Sequence, residues 1–235
     1  MSRREIRRVK VWSGRLRIAH WVLAILILFL IATGWILGSG LQGDLQPILE
    51  AHTLAGYLSG GILLWRLFML LFGSQTEHWR DLTPRGPQLR GARETMLSYL
   101  TLGRRPLPAY YGHNPLWGPV YLLLYLVLLL QMMSGLLLAI PALEFALLPA
   151  LNHPMLLAYH EAGYSVIAAF AVLHVASVLF HDCQGTRWEI SAMVNGHKCF
   201  MVQRGGLAFP VITHDAPAQP VERAAVSPPH RPHSG

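Results

Sequence analysis

Four long apolar blocks, approximately residues 18–37, 53–72, 116–140 and 156–180, restrict this chain more than any other feature. Crossing roughly 30 Å of hydrocarbon takes about 20 helical residues. A spanning helix is also one of only two ways to satisfy every backbone N–H and C=O away from water. The remaining composition agrees: 53% of residues are hydrophobic and only 13% charged, and the apolar residues come in blocks. These features predict an all-α integral membrane protein, a four-helix transmembrane bundle.

The net charge of +7 could suggest nucleic acid, but the placement of the cations excludes it as a partner and points to membrane lipid. Arg3, Arg4, Arg7, Arg8, Lys10, Arg15 and Arg17 precede the first block. Six arginines lie between the second and third, from Arg80 to Arg105, and five cations follow the fourth. The connections 39–51 and 141–155 carry no Lys or Arg. Because cytoplasmic loops concentrate Lys and Arg, both termini and the middle loop are expected in the cytoplasm, with the chain multi-pass in a bacterial inner membrane. A basic start before an apolar run also suits a signal peptide. This run exceeds the usual 7–15 residues of such a segment and has His20-Trp21 at its mouth, so it is expected to remain.

Residues 1–17 read as a basic cytoplasmic arm lying against anionic headgroups. Residues 18–200 form the membrane domain, and 201–235, rich in Pro, Ala, Ser and His, read as a disordered cytoplasmic tail. The connection 74–115 is the only long internal one; within it, 91–102 suits either a short interfacial helix or a solvated loop. Cys183 and Cys199 fall on the cytoplasmic side, where thiols stay reduced. No C-x-x-C-H occurs, so any haem would be held without thioether links.

Ionisable side chains inside a membrane are costly and mark candidate function. His20, His52, His160 and His174 are the candidates. The topology puts His20 and His174 at the cytoplasmic side, and His52 and His160 at the outer side. The fourteen residues from His160 to His174 return a helix to within roughly 40° of the same face, about 21 Å along the axis. Two imidazoles facing each other at one depth suit a six-coordinate b haem, and two such pairs would make an electron path through the bundle. Gly34, Gly56, Gly60, Gly135 and Gly163 would admit a macrocycle, or equally serve close helix packing. His153 and His181, each seven residues from a proposed ligand, compete for the same role, as do Met132 and Met133.

These residues resemble a known family, the b-type cytochrome subunit of membrane-bound Ni/Fe-hydrogenases within the bacterial cytochrome b561 superfamily. The likeness spans roughly 11–200 and is carried by Arg17-Ile18-Ala19-His20-Trp21, Thr33-Gly34, His52-Thr53-Leu54-Ala55-Gly56 and Arg66. It continues through Gly112-His113-Asn114-Pro115, His160-Glu161-Ala162-Gly163, Leu173-His174-Val175 and the stretch from Ser191 to Gly196. After His181 the sequence departs from the hydrogenase pattern and is nearer to superfamily members serving other partners.

The resemblance implies two non-covalent b haems, with His52 and His160 as ligands of the outer one and His20 and His174 of the inner one. It also implies electron transfer from a periplasmic redox subunit, of iron-sulfur or cytochrome c type, to the quinone pool of a respiratory chain. His113 and Asn114 are candidate quinone contacts, although Asn114 before Pro115 also suits a helix cap. Arg17 and Arg15 are candidate partners of the inner haem propionates, or simply anchors at the membrane face. Two other readings remain: a free-standing quinone-linked b-type oxidoreductase, and a haem-free transporter in which the histidines relay protons.

Overall fold

A computed structural model describes residues 4–105, 107–108, 110–140, 142–143, 152–183, 189–203 and 206–207. Four helices are long and apolar enough to cross a membrane: α1 (Gly14–Gly38), α2 (Gln46–Phe72), α4 (Trp117–Ala139) and α5 (His153–Cys183). Their 25, 27, 23 and 31 residues all exceed the minimum span, so the four-helix membrane bundle predicted above is what the chain forms. Helix α1 packs on α2, α2 on α4 and α4 on α5, and α5 closes the ring on α1. The large apolar side chains point outward: Ile18, Ile25, Leu64, Phe72, Leu130 and Val172 are exposed. Such an apolar exterior would be a liability in water and is what a hydrocarbon solvent requires.

Three of the helices run further than the apolar blocks indicate. Helix α1 begins at Gly14 instead of residue 18 because Ser13 caps it, its hydroxyl accepting from the Leu16 N–H at 3.1 Å. Helix α2 begins at Gln46 instead of 53, where Asp44 accepts from the Gln46 N–H at 3.0 Å and a proline occupies the first turn. Helix α5 extends beyond 156–180 at both ends. Apolar runs mark the hydrocarbon, whereas caps mark where helices end.

The largest correction concerns the basic arm. Residues Arg4–Lys10 form strand β1, paired antiparallel with β2 (His197–Gln203) in the register Arg4↔Gln203 to Lys10↔His197. Strand β3 (Gly206–Leu207) adds to the other side of β2, giving the order β1-β2-β3. A small sheet therefore joins the segment before α1 to the segment that follows the last spanning helix, and strand structure continues past the expected boundary at 200. The rest of the tail, residues 208–235, lies outside the described residues, as does 184–188, where the sequence departs from the hydrogenase pattern.

The sheet sits at one end of the bundle, here called the sheet end. A helix of seven residues, α6 (Glu189–Asn195), leads into it. Val11, Trp12, Leu16, Ala19, Met69, Ala192 and Phe200 form one buried cluster, with Val9 of β1 packed against it, that joins β1, α1, α2, α6 and β2. The Gly196 carbonyl accepts from both Val11 and Trp12 N–H groups, and Arg17 Nη1 donates to the Val194 carbonyl. Within the 74–115 connection, the helical alternative holds: α3 spans Pro87–Leu100. Its protein-facing side is Gln88, Gly91, Thr95 and Ser98, while Leu89, Met96 and Leu100 are exposed. This inversion of the usual pattern suits a helix lying along a lipid surface.

Candidate functional site

The four histidines meet in the two pairs that depth matching predicts. The His52 and His160 rings have centroids 6.4 Å apart, and so do those of His20 and His174. The ring planes are inclined by 73° and 58° respectively.

At the far end, away from the sheet, every helix of the bundle contributes to one pair. His52 is on α2 and His160 on α5. Thr33 on α1 lies with its Oγ1 2.7 Å from His52 Nδ1, and Ser134 on α4 with its Oγ 2.8 Å from His160 Nδ1. Each hydroxyl also lies within bonding distance of a carbonyl on its own helix, Phe29 at 2.9 Å for Thr33 and Gln131 at 3.0 Å for Ser134. When the hydroxyl proton goes to that carbonyl, the hydroxyl oxygen can accept from Nδ1–H. That tautomer leaves the Nε2 lone pair of each ring free to bind a metal. Gln131 also donates to the His160 carbonyl at 3.0 Å, fixing α4 against α5.

The sheet-end pair is set differently. His174 stacks on Phe170 at 5.6 Å and 10°, and meets Tyr121 and Trp117 edge-on at 5.9 Å and 6.4 Å; His20 lies against Trp21. The Nδ1 atoms of both histidines are buried with no hydrogen-bond partner among the described residues. The other buried side-chain polar atoms without a partner among those residues are Arg17 Nε, Arg66 Nη2 and Asn114 Nδ2. All five belong to this end of the bundle. Buried donors of this kind are expensive unless something polar meets them.

Both pairs fit a macrocyclic iron. An imidazole nitrogen binds a first-row metal such as zinc at about 2.0–2.1 Å. With the ring centre roughly 1 Å further out, two imidazoles held on opposite sides of one ion would have centroids about 6 Å apart. Among the described residues no group of three or more His, Cys, Asp or Glu could hold a metal ion, so the donors come as pairs. Added Cβ atoms at Gly135 and Gly34 would lie 3.1 Å from His160 Cε1 and 3.6 Å from His52 Cε1, so these two glycines make room beside the rings. Gly60 and Gly163 are packing positions, filled by Met132 and Gln131, while Gly56 has nothing within 4 Å.

The remaining sequence candidates separate clearly. His113 sits at the sheet end, its Nδ1 2.5 Å from Asp81 Oδ2 and its ring 4.7 Å from Trp12. Asn114 caps the start of α4, its Oδ1 accepting from the Leu116 N–H at 2.9 Å, while Nδ2 faces inward unpaired. Arg17 turns to α6, where it bonds the Val194 carbonyl. Arg15 is engaged outside the site, by Glu77. His153 is exposed at the start of α5, and His181 is bonded to Tyr99 at 2.7 Å; neither joins a pair. The competing methionines do not either: Met132 packs against Gly60, and Met133 is exposed.

Sequence reasoning missed Ser134, the pairing role of Thr33, and Asp81. The two hydroxyls carried a faint signal as polar residues inside apolar runs; Asp81 lay in a loop with no periodicity to flag it.

The fold and site together define a membrane-embedded helical bundle with two pairs of facing histidines, one toward each end. The chain belongs to the family described as prokaryotic cytochrome b561, whose model matches residues 11–196. It is therefore a membrane b-type cytochrome, an electron-transfer protein that binds haem b.

Among curated relatives, the probable Ni/Fe-hydrogenase B-type cytochrome subunit of Cupriavidus necator is 25% identical over 223 residues, covering 85% of this chain and 90% of the relative. The probable Ni/Fe-hydrogenase 1 B-type cytochrome subunit of Escherichia coli K12 is 25% identical over 211 residues, covering 80% and 89%. The probable Ni/Fe-hydrogenase B-type cytochrome subunit of Rhizobium leguminosarum bv. viciae is 27% identical over 216 residues, covering 82% and 89%. No solved structure matches significantly.

Proposed function

We propose that the chain is a di-haem b-type cytochrome that passes electrons across the inner membrane from a periplasmic redox subunit, of the hydrogenase type named in its relatives, to quinone. The observation that carries this reading is the equal 6.4 Å spacing of the two histidine pairs on one four-helix frame. His52 and His160 would hold one haem, and His20 and His174 the other. Bound haem supplies one-electron chemistry that no side chain here offers.

The distribution of Lys and Arg supports a cytoplasmic sheet end and an outer His52–His160 pair. Quinone would then be reduced near the cytoplasmic face. The unpaired Nδ2 of Asn114 and the His113 ring, held by Asp81, are suited to bind its oxygens, and Arg17 and Arg66 to meet propionates. His113 could also deliver a proton, because Asp81 fixes one ring nitrogen and leaves the other for exchange.

The test is a reduced-minus-oxidised spectrum of the purified protein with haem quantified per chain, repeated for the four His→Ala variants. Two b haems, with His52 or His160 changes losing one and His20 or His174 changes losing the other, is the expected result. A single haem would leave one pair without a cofactor. A haem-free protein would overturn the proposal and favour proton relay.

A further inference from the structure

The two pairs differ in one respect that bears on direction. Both far-end histidines have a hydroxyl from another helix at Nδ1, at 2.7 and 2.8 Å, whereas both sheet-end histidines have no partner at Nδ1 among the described residues. With iron on Nε2, a neutral ring carries its proton on Nδ1, and the hydroxyls would then accept it. An acceptor on Nδ1–H pushes electron density toward Nε2, makes the imidazole a stronger donor and stabilises ferric over ferrous iron. The buried hydroxyls can do little else. Thr33 and Ser134 are 7% and 8% exposed, and each has a carbonyl of its own helix to take its proton, which leaves its oxygen able to accept.

We infer that Thr33 and Ser134 are positioning residues that lower the reduction potential of the His52–His160 haem below that of the His20–His174 haem, so that electrons run downhill from the far end to the sheet end. This rests on the di-haem reading above and adds to it an order of the two potentials and the two residues that set it.

The test is a potentiometric titration of the purified full-length protein, alongside haem quantification, for the native chain, Thr33→Val with Ser134→Ala, and Thr33→Ser. The native protein should show two midpoints. The double variant should keep two haems while its lower midpoint moves positive and the gap narrows; Thr33→Ser, which retains the hydroxyl, should titrate like the native chain. Two haems with an unchanged gap, or movement of the higher midpoint instead, overturns the inference. If the double variant drops a haem, Thr33→Val and Ser134→Ala are titrated singly, since each keeps one anchor. A lower midpoint unmoved in both then overturns it. One haem or none in the native protein would instead refute the di-haem reading, a separate failure visible before any variant is made.

Discussion

Arg15 Nε and Nη2 lie 2.8 and 2.6 Å from the two carboxylate oxygens of Glu77, a residue that follows α2 and is itself fully buried. The same carboxylate accepts from the Ser74 N–H at 2.7 Å and from the hydroxyls of Ser13 and Ser74. It thus ties the first turn of α1 to the end of α2. Burial opposes ionisation, but the bonds from Arg15, Ser13 and Ser74 outweigh it and hold the Glu77 carboxyl down at about 2 from its ordinary 4.5.

A depressed carboxyl contributes stability that is fully present above the unfolded value and lost as pH falls through the folded one. Thermal unfolding of the native protein in detergent should therefore lose stability between pH 4.5 and about 2. Glu77→Gln should cost about 2 kcal/mol at neutral pH and flatten that acid limb. An unaltered acid limb in the variant would show that another group is responsible.

Gly135 makes a second prediction. A methyl there would stand 3.1 Å from His160 Cε1, close enough that the ring must shift. Gly135→Ala should lower haem content from two per chain toward one by weakening the far-end site. Gly61→Ala, which meets nothing within 4 Å, should leave it at two. Haemochrome quantification of the two variants checks both.

The cap that Asn114 makes and the quinone contact proposed for it can be separated. Asn114→Asp keeps the oxygen that caps α4, and a carboxylate at a helix N-terminus is favourable, so stability should change by no more than about 0.5 kcal/mol. The Nδ2 donor is lost, and quinone reduction should fall at least about tenfold with the haem spectrum unchanged. Native turnover in this variant would remove Asn114 from the quinone site.

Gly118 packs the first turn of α4 directly on backbone: an added Cβ would come within 3.0 Å of Leu82 Cα and closer still to its carbonyl. Backbone cannot rotate away as a side chain can. Gly118→Ala should cost about 1–3 kcal/mol, read as a fall in thermal midpoint. Haem content at permissive temperature should be unchanged.

The bundle was legible in the sequence because a membrane span is a local property: one apolar run, long enough, commits its own backbone to a helix. The histidine pairing was legible for a related reason, since alternating helix direction and the positive-inside charge pattern fix the depth of each ring. What escaped notice depends on residues distant in sequence. Strand β1 reads as a basic arm until its partner at His197–Gln203 is known. Thr33 and Ser134 read as stray polar residues until His52 and His160 are brought beside them from neighbouring helices. Asp81 becomes meaningful only when the chain returns after α3 and brings His113 to within 2.5 Å.

The pairing of β1 with β2 also has a consequence for biogenesis. Arg4 leaves the ribosome first of the strand residues, yet its partner Gln203 is translated 199 residues later (203 minus 4), after all four spanning helices. At synthesis rates of about 5–20 residues per second, β1 waits roughly 10–40 s for its mate. During that interval its cations Arg4, Arg7, Arg8 and Lys10 discourage pairing with other chains, as charge does on any unprotected strand edge. The sheet can close only when its two long strands stand on one face of the membrane, which takes an even number of inserted spans between them. A chain with a single missed span would be left with two unsatisfied strands.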